Sequence, residues 1–208
     1  MNPDRFNFVL AGVGGQGTIL ASDILAELGM QLGYDVKKAE IHGMSQRGGS
    51  VTSHLRWGPR VYSPIIPPGE ADVLVAFEKL EAARYAQMLK PGGLALVNDY
   101  TIQPLSVQTT GIPYPADEEI SARLAAVTPK VHWVKGMDIA EGLGNTRAAN
   151  VVLLGAVATL LELESAEWDA VLEKRIPARH LELNRKAFQA GREAAKNSIL
   201  TRTINNLP

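Results

Sequence analysis

The chain has no cysteine among its 208 residues. That excludes a disulfide, a thiolate zinc site and an iron–sulfur cluster held by this polypeptide alone, and it suits a cytoplasmic protein. Blocks of like charge are also missing: 21 basic and 22 acidic side chains leave a formal net charge of -1. General nucleic-acid binders carry a basic stripe, so nucleic acid is not an expected partner. The most apolar stretch, Ala148 to Leu163, is too short to span a bilayer comfortably and reads as a buried helix, so no membrane is expected. Met1-Asn2-Pro3-Asp4-Arg5 has neither the basic start nor the apolar centre of a signal peptide. The four histidines lack metal-ligand spacing. No nucleophile elbow, Walker loop or paired-carboxylate motif occurs, and no primary catalytic residue is expected.

What is present is an ordinary globular balance, 46% hydrophobic and 21% charged, over a length that suits one domain. The expected domain covers residues 1–197, with 198–208 as a C-terminal tail. Apolar Phe6 to Ala11 reads as a buried strand, and the spacing of Ile19, Leu20, Ile24, Leu25, Leu28 and Leu32 as a helix. Asp35 to Ile41 is a second strand. Val51, Ser53, Leu55 and Trp57 alternate with Thr52, His54 and Arg56, which predicts a half-exposed strand. Gly58-Pro59-Arg60 reads as a turn into a short strand at Val61 and Tyr62, giving an inserted antiparallel hairpin. Pro64, Pro67, Pro68 and Gly69 form a stiff connection whose Ile65 and Ile66 suit either a partner surface or a packed loop. Strands at 72–77, 94–97 and 131–134 then alternate with helices, and helices close the chain. The expected fold is α/β, a Rossmann-like three-layer sandwich with a largely parallel sheet, one inserted antiparallel hairpin and C-terminal helices.

Two glycine loops stand out. Gly12-Val13-Gly14-Gly15-Gln16-Gly17 lies between the first strand and the first helix, where bare N–H groups and the helix dipole favour an anion. His42 to Ser50 contains Ser45, Gln46, Arg47, Gly48 and Gly49, and the planar fork of Arg47 matches a phosphate or carboxylate. Three readings stay open for these loops. They form an anion or partner surface, or the glycines only permit tight packing. Alternatively, Gly12, Gly14 and Gly17 are a dinucleotide fingerprint, with Glu40 near the place of the ribose-binding acid. Asn150, on the apolar helix, is costly unless paired and is either a brace or a site residue.

The two loops, together with Asp72-Val73-Leu74-Val75-Ala76-Phe77-Glu78 and the helix Asn150-x-x-x-x-Gly155-Ala156, resemble the gamma-type domain of the 2-oxoacid:ferredoxin oxidoreductases, within it the indolepyruvate type. The resemblance covers roughly Phe6 to Ala195. It implies a subunit of an enzyme that converts a 2-oxoacid and coenzyme A to acyl-CoA and carbon dioxide, passing electrons to ferredoxin. It implies that thiamine diphosphate and the iron–sulfur clusters sit on a large alpha subunit, and that this chain holds no cofactor alone and is inactive alone. It also implies a role for Gly12, Gly14, Gly15, Gln16, Gly17, Ser45, Gln46, Arg47, Gly48, Gly49 and Asn150 around coenzyme A or the neighbouring chain. The alternatives are a stand-alone NAD(P)-binding oxidoreductase and a ligand-free assembly module.

Overall fold

The computed structural model describes residues 5–42, 48–104, 107, 111, 113–163 and 166–205. Strand β1 (Phe6–Val13) leads into helix α1 (Thr18–Gln31), then β2 (Asp35–His42), β3 (Ser50–Gly58) and β4 (Ala71–Ala76). Helix α2 (Lys79–Tyr85), a 3-10 turn (Ala86–Met88), β5 (Leu89–Asn98), α3 (Asp117–Ala125) and β6 (Lys130–Val134) follow. The chain ends in α4 (Gly136–Gly142), a second 3-10 turn (Thr146–Ala148), α5 (Ala149–Leu160), α6 (Glu167–Arg175) and α7 (Ala178–Asn205). No helix of the described residues is long and apolar enough to cross a membrane.

The six strands form one mixed sheet in the order β2-β3-β1-β4-β5-β6. Pairs β1/β4, β4/β5 and β5/β6 are parallel, while β3 runs antiparallel to both β2 and β1. Alternate residues of each strand feed opposite faces. Phe8, Leu10, Val73, Val75 and Leu96 pack under α1, α5, α6 and α7, while Val9, Ala11, Leu74, Ala76 and Val97 pack under α2 and α3. Helices cover both faces, so the expected α/β three-layer architecture is the one found.

The inserted hairpin is real but is made differently. Its arms are β2 and β3; Val61 and Tyr62 form no strand. Both edges of β3 are already taken by β2 and β1, so the chain after Gly58 has no ladder left to join. Val61 N–H donates instead to Asp35 Oδ2 at 2.8 Å. Nor is β3 half-exposed: Thr52, Ser53 and His54 are all buried. The proline-rich connection covers its polar face, with Ile66 N–H donating to His54 Nδ1 at 3.1 Å. Ile66 is buried there while Ile65 stays exposed. Helix α2 stops at Tyr85, and the 3-10 turn leads directly into β5, which begins at Leu89 opposite Ala71. Helix α7 runs to Asn205, through residues where the sequence shows little periodicity.

Two contacts fix the helical layer. Helices α5 and α7 meet at paired glycines. A Cβ on Gly155 would lie 2.0 Å from Phe188 O, and one on Gly191 would lie 1.8 Å from Val152 O. Both obstacles are backbone and cannot swing aside. Gly191→Ala is therefore expected to destabilise the fold by about 3 kcal/mol, the upper range for overpacking, read as a lower urea midpoint.

The other contact is Glu27 of α1, which sits between Lys174 Nζ at 2.6 Å and Arg175 Nη2 at 2.9 Å of α6. The hydrogen bond from Lys174 holds its carboxyl below the ordinary value of 4.5, against the opposing effect of burial and with help from Arg175. The folded carboxyl is the stronger acid, so this stabilisation is complete above 4.5 and is lost as pH falls below it. Wild-type protein should lose more stability on acidification through that window than Glu27→Gln, as followed by chemical denaturation at each pH.

Candidate functional site

The β1/β3 register pairs Val13 with Ser50, so the chain entering β3 must lie against the turn leaving β1. Gly14 N–H donates to Gly49 O at 2.9 Å, and the two glycine loops meet. Ser45, Gln46 and Arg47 lie outside the described residues. Gly48 (φ 75°) and Gly49 are at the contact.

Three glycines of the first turn each have a distinct reason. A Cβ on Gly12 would be 2.8 Å from Thr18 Cγ2 and 3.0 Å from Phe77 Cβ. Gly15 (φ 106°) is exposed and turns the chain. Gly17 (φ 76°) caps α1 in the left-handed region, and a Cβ there would meet Asn150 Nδ2 at 2.5 Å.

Two side chains assigned to the site are braces. Gln16 Oε1 accepts from Val13 N–H at 2.8 Å, and its Nε2 donates to Phe77 O at 2.8 Å. Asn150 Nδ2 donates to Gly17 O at 3.2 Å and its Oδ1 accepts from Val151 N–H at 2.9 Å. Their amides are spent on backbone. A third amide does the same work: Asn98, at the end of β5, donates to Phe77 O at 3.0 Å and accepts from Gly136 N–H at 2.9 Å. The turns after β1, β4 and β5 and the start of α4 are thus tied into one edge.

Above that edge lies a crevice of about 490 Å³. Gly14 to Gly17, Phe77, Asn98, Tyr100, Met137, Arg147 and Asn150 line it. It sits where the chain order reverses between β1 and β4, outside the carboxyl ends of the strands, the usual ligand position in open α/β sheets. Helix α1 starts here without a side-chain cap and without acid in its first turn, and its N–H end favours negative charge. Helix α5 also starts here without acid in its first turn, but Asn145 caps the 3-10 turn before it and Asn150 takes the Val151 N–H. Exposed Arg147 makes no ion pair among the described residues. Sequence reasoning passed over Asn98, Tyr100, Met137 and Arg147. The signal for Asn98 was its place at the end of a buried strand.

The same topology separates this turn from a dinucleotide site. In that fold the acid-bearing strand lies next to β1. Here β3 stands between, so β2 is two strand spacings, about 10 Å, from β1. Glu40 also binds Lys38 Nζ at 2.7 Å.

Nearby, buried Glu78 ties α2 to the segment before α3. It caps Glu81 N–H at 3.0 Å and accepts from Ile102 N–H at 3.1 Å and Tyr114 Oη at 2.5 Å. Burial, followed by this carboxylate, pushes the Tyr114 phenol well above its ordinary range. It acts as a donor, not as a base.

Fold and edge together define a doubly wound α/β domain whose turn-after-β1 site faces a loop brought back by an antiparallel strand. Known proteins place it further. The pyruvate ferredoxin/flavodoxin oxidoreductase family pattern matches residues 7–194, and the chain belongs to that family. It is 37% identical over 198 residues to the indolepyruvate oxidoreductase subunit IorB of Pyrococcus horikoshii, covering 94% of this chain and 98% of that protein. To the subunit of the same name from Archaeoglobus fulgidus it is 40% identical over 189 residues, 90% of this chain and 94% of that one. A keto/oxoacid ferredoxin oxidoreductase gamma subunit from Geobacter sulfurreducens has the same fold, with a TM-score of 0.68 and 27% identity, over 92% of this chain and 99% of that one.

The bracing role of Gln16 has a direct consequence. Gln16→Ala strands Val13 N–H and is expected to cost about 2 kcal/mol of stability. An unchanged urea midpoint would contradict it.

Proposed function

We propose that this chain is the small, cofactor-free subunit of an indolepyruvate-type 2-oxoacid:ferredoxin oxidoreductase. The complex converts an arylpyruvate and coenzyme A to acyl-CoA and carbon dioxide and passes the electrons to ferredoxin. A large companion chain carries the thiamine diphosphate, which supplies the decarboxylation chemistry, and the iron–sulfur clusters. This chain has no thiolate to hold a cluster. The complex is cytoplasmic in this reading.

The observation that carries the proposal is the Gly14–Gly49 contact. It joins the two loops of the family resemblance into one rim beside a crevice with the uncapped start of α1 and the Arg147 cation. In this role the backbone N–H groups of Gly15 and Gly17 and the Arg147 guanidinium face an anionic group, either on coenzyme A or on the companion chain. Gly12, Gln16 and Asn150 hold the rim in shape. Gly49 joins it through Gly14, and Ser45, Gln46, Arg47 and Gly48 share the proposed role.

Reconstitution tests this reading. The isolated chain, given thiamine diphosphate, coenzyme A, indolepyruvate and a viologen dye, should reduce no dye. Adding the large subunit should restore reduction. Arg147→Ala should raise the KM for coenzyme A, or the concentration of small subunit needed for half activity, by about tenfold, the value of one charge-assisted contact. Dye reduction by the isolated chain overturns the proposal. So does saturable NADH binding seen in tryptophan fluorescence.

A further inference from the structure

The far end of β1 carries a second surface. The register pairs Phe6 with Trp57, so Arg5 and the chain leaving β3 share one edge of the sheet. The eight residues of β1 put that edge about 25 Å from the crevice. A groove of about 480 Å³ opens there, lined by Arg5, Arg56, Arg60 and Tyr62.

Its charge is unbalanced. Arg56 donates to Asn7 Oδ1 at 3.0 Å and to the Ser63 and Ile65 carbonyls at 3.4 and 3.3 Å, all neutral acceptors. The Arg60 guanidinium lies 5.2 Å from the Tyr62 ring centroid. Among the described residues, no carboxylate forms an ion pair with any of the three arginines. Two nearby acids are held by lysines, although Asp35 also feels the Arg60 charge. Asp35 pairs with Lys37 while accepting from Val61 N–H, and Asp72 pairs with Lys90 while accepting from Asn7 N–H.

Its shape is fixed. The connection from Pro59 to Gly69 holds four prolines, which set φ and limit the freedom lost on binding. Its inner side is clamped through Ile66 to His54. Its outer side holds Tyr62 83% exposed and Ile65 48% exposed. Tyrosine and arginine are the side chains that most often dominate protein interfaces. A small phosphate-bearing ligand would satisfy the arginines but leave Tyr62 and Ile65 wet. A protein surface covers both.

We propose that this edge docks an acidic protein surface, with carboxylates set around a hollow for the Tyr62 ring, on the large companion chain. The proposal rests on the reading of this chain as a subunit. The small subunit is then gripped at both ends of its sheet. The crevice end is shaped for an anion beside the rim, and the arginine end is shaped for assembly.

The full-length chain, titrated with the purified large subunit at rising ionic strength, tests it. Arg5→Glu/Arg60→Glu should weaken association at least about tenfold and flatten its salt dependence. Tyr62→Ala should weaken it comparably without changing the salt dependence. Arg5→Lys/Arg60→Lys should retain the salt dependence. All three sites are exposed, so melting temperatures should match wild type. If wild type binds and the variants bind equally well, the docking surface is wrong and the subunit reading stands. If wild type does not bind the large subunit at all, both fail. Should the glutamate variant keep its partner but lose calorimetric binding of coenzyme A, the groove is a nucleotide site and the docking proposal is overturned.

Discussion

The antiparallel register of β1 with β3 is the constraint on which the rest of the structure depends. Pairing Phe6 with Trp57 and Val13 with Ser50 leaves no freedom in where the chain enters and leaves β3. Its entry must touch the glycine turn, and its exit must sit beside Arg5. A slip of one residue would exchange Leu55 and Trp57, buried among Phe6, Phe8 and α1, for Thr52, His54 and Arg56. The aromatic cluster resists that slip: the Trp57 ring lies 4.8 Å from Phe8 and 5.8 Å from Tyr34. Gly29 of α1 leaves space for it, since a Cβ there would meet the indole at 2.5 Å.

From that register follows the change in meaning of the glycine turn. An inserted strand pushes β2 outward and removes the acid that a ribose needs beside β1. It brings in a second glycine loop instead. The polar side chains at the joint are consumed internally. Phe77 O alone accepts from both Gln16 and Asn98. Such backbone-directed amides make the rim rigid but leave few side chains to act on a substrate. Among the described residues that line the crevice, the remaining polar groups are the N–H end of α1, the Arg147 guanidinium and the Tyr100 and Thr146 hydroxyls. That inventory can orient an anion.

Much of the fold was legible because the strands at the centre carry unbroken apolar runs. Phe8 to Ala11 and Val73 to Phe77 are buried on both faces, and their composition says so. The errors have one physical origin: a strand's composition does not name its neighbours. Val51 to Trp57 alternates like a half-exposed strand, yet it lies between β2 and β1 under the proline-rich connection, with His54 used as a buried acceptor. At the site, glycines were legible because left-handed backbone at Gly15 and Gly17 and close contacts at Gly12 and Gly17 exclude other residues. Gln16 and Asn150 were legible as polar groups in demanding places, but not as braces, because their partners are carbonyls. Any residue can present the Phe77 or Gly17 carbonyl, so no sequence pattern marks it. Arg147 and Tyr100 reach the crevice from distant loops, and only the folded chain brings them there.

The proline-rich connection shows how one segment serves both stability and recognition. Its inner residue, Ile66, seals the polar face of β3, which would otherwise expose Thr52 and His54 to solvent. Burial lowers the His54 basicity, so the ring stays neutral and able to accept from Ile66 N–H. Because that inner seal fixes the backbone, the outer residues cannot relax inward to hide their apolar surface. Tyr62 and Ile65 are held out in water by the same contacts that protect the strand. A chain under no demand but its own stability would gain by folding them back. An acidic partner surface seated on this edge, as proposed, would cover both beside Arg5, Arg56 and Arg60.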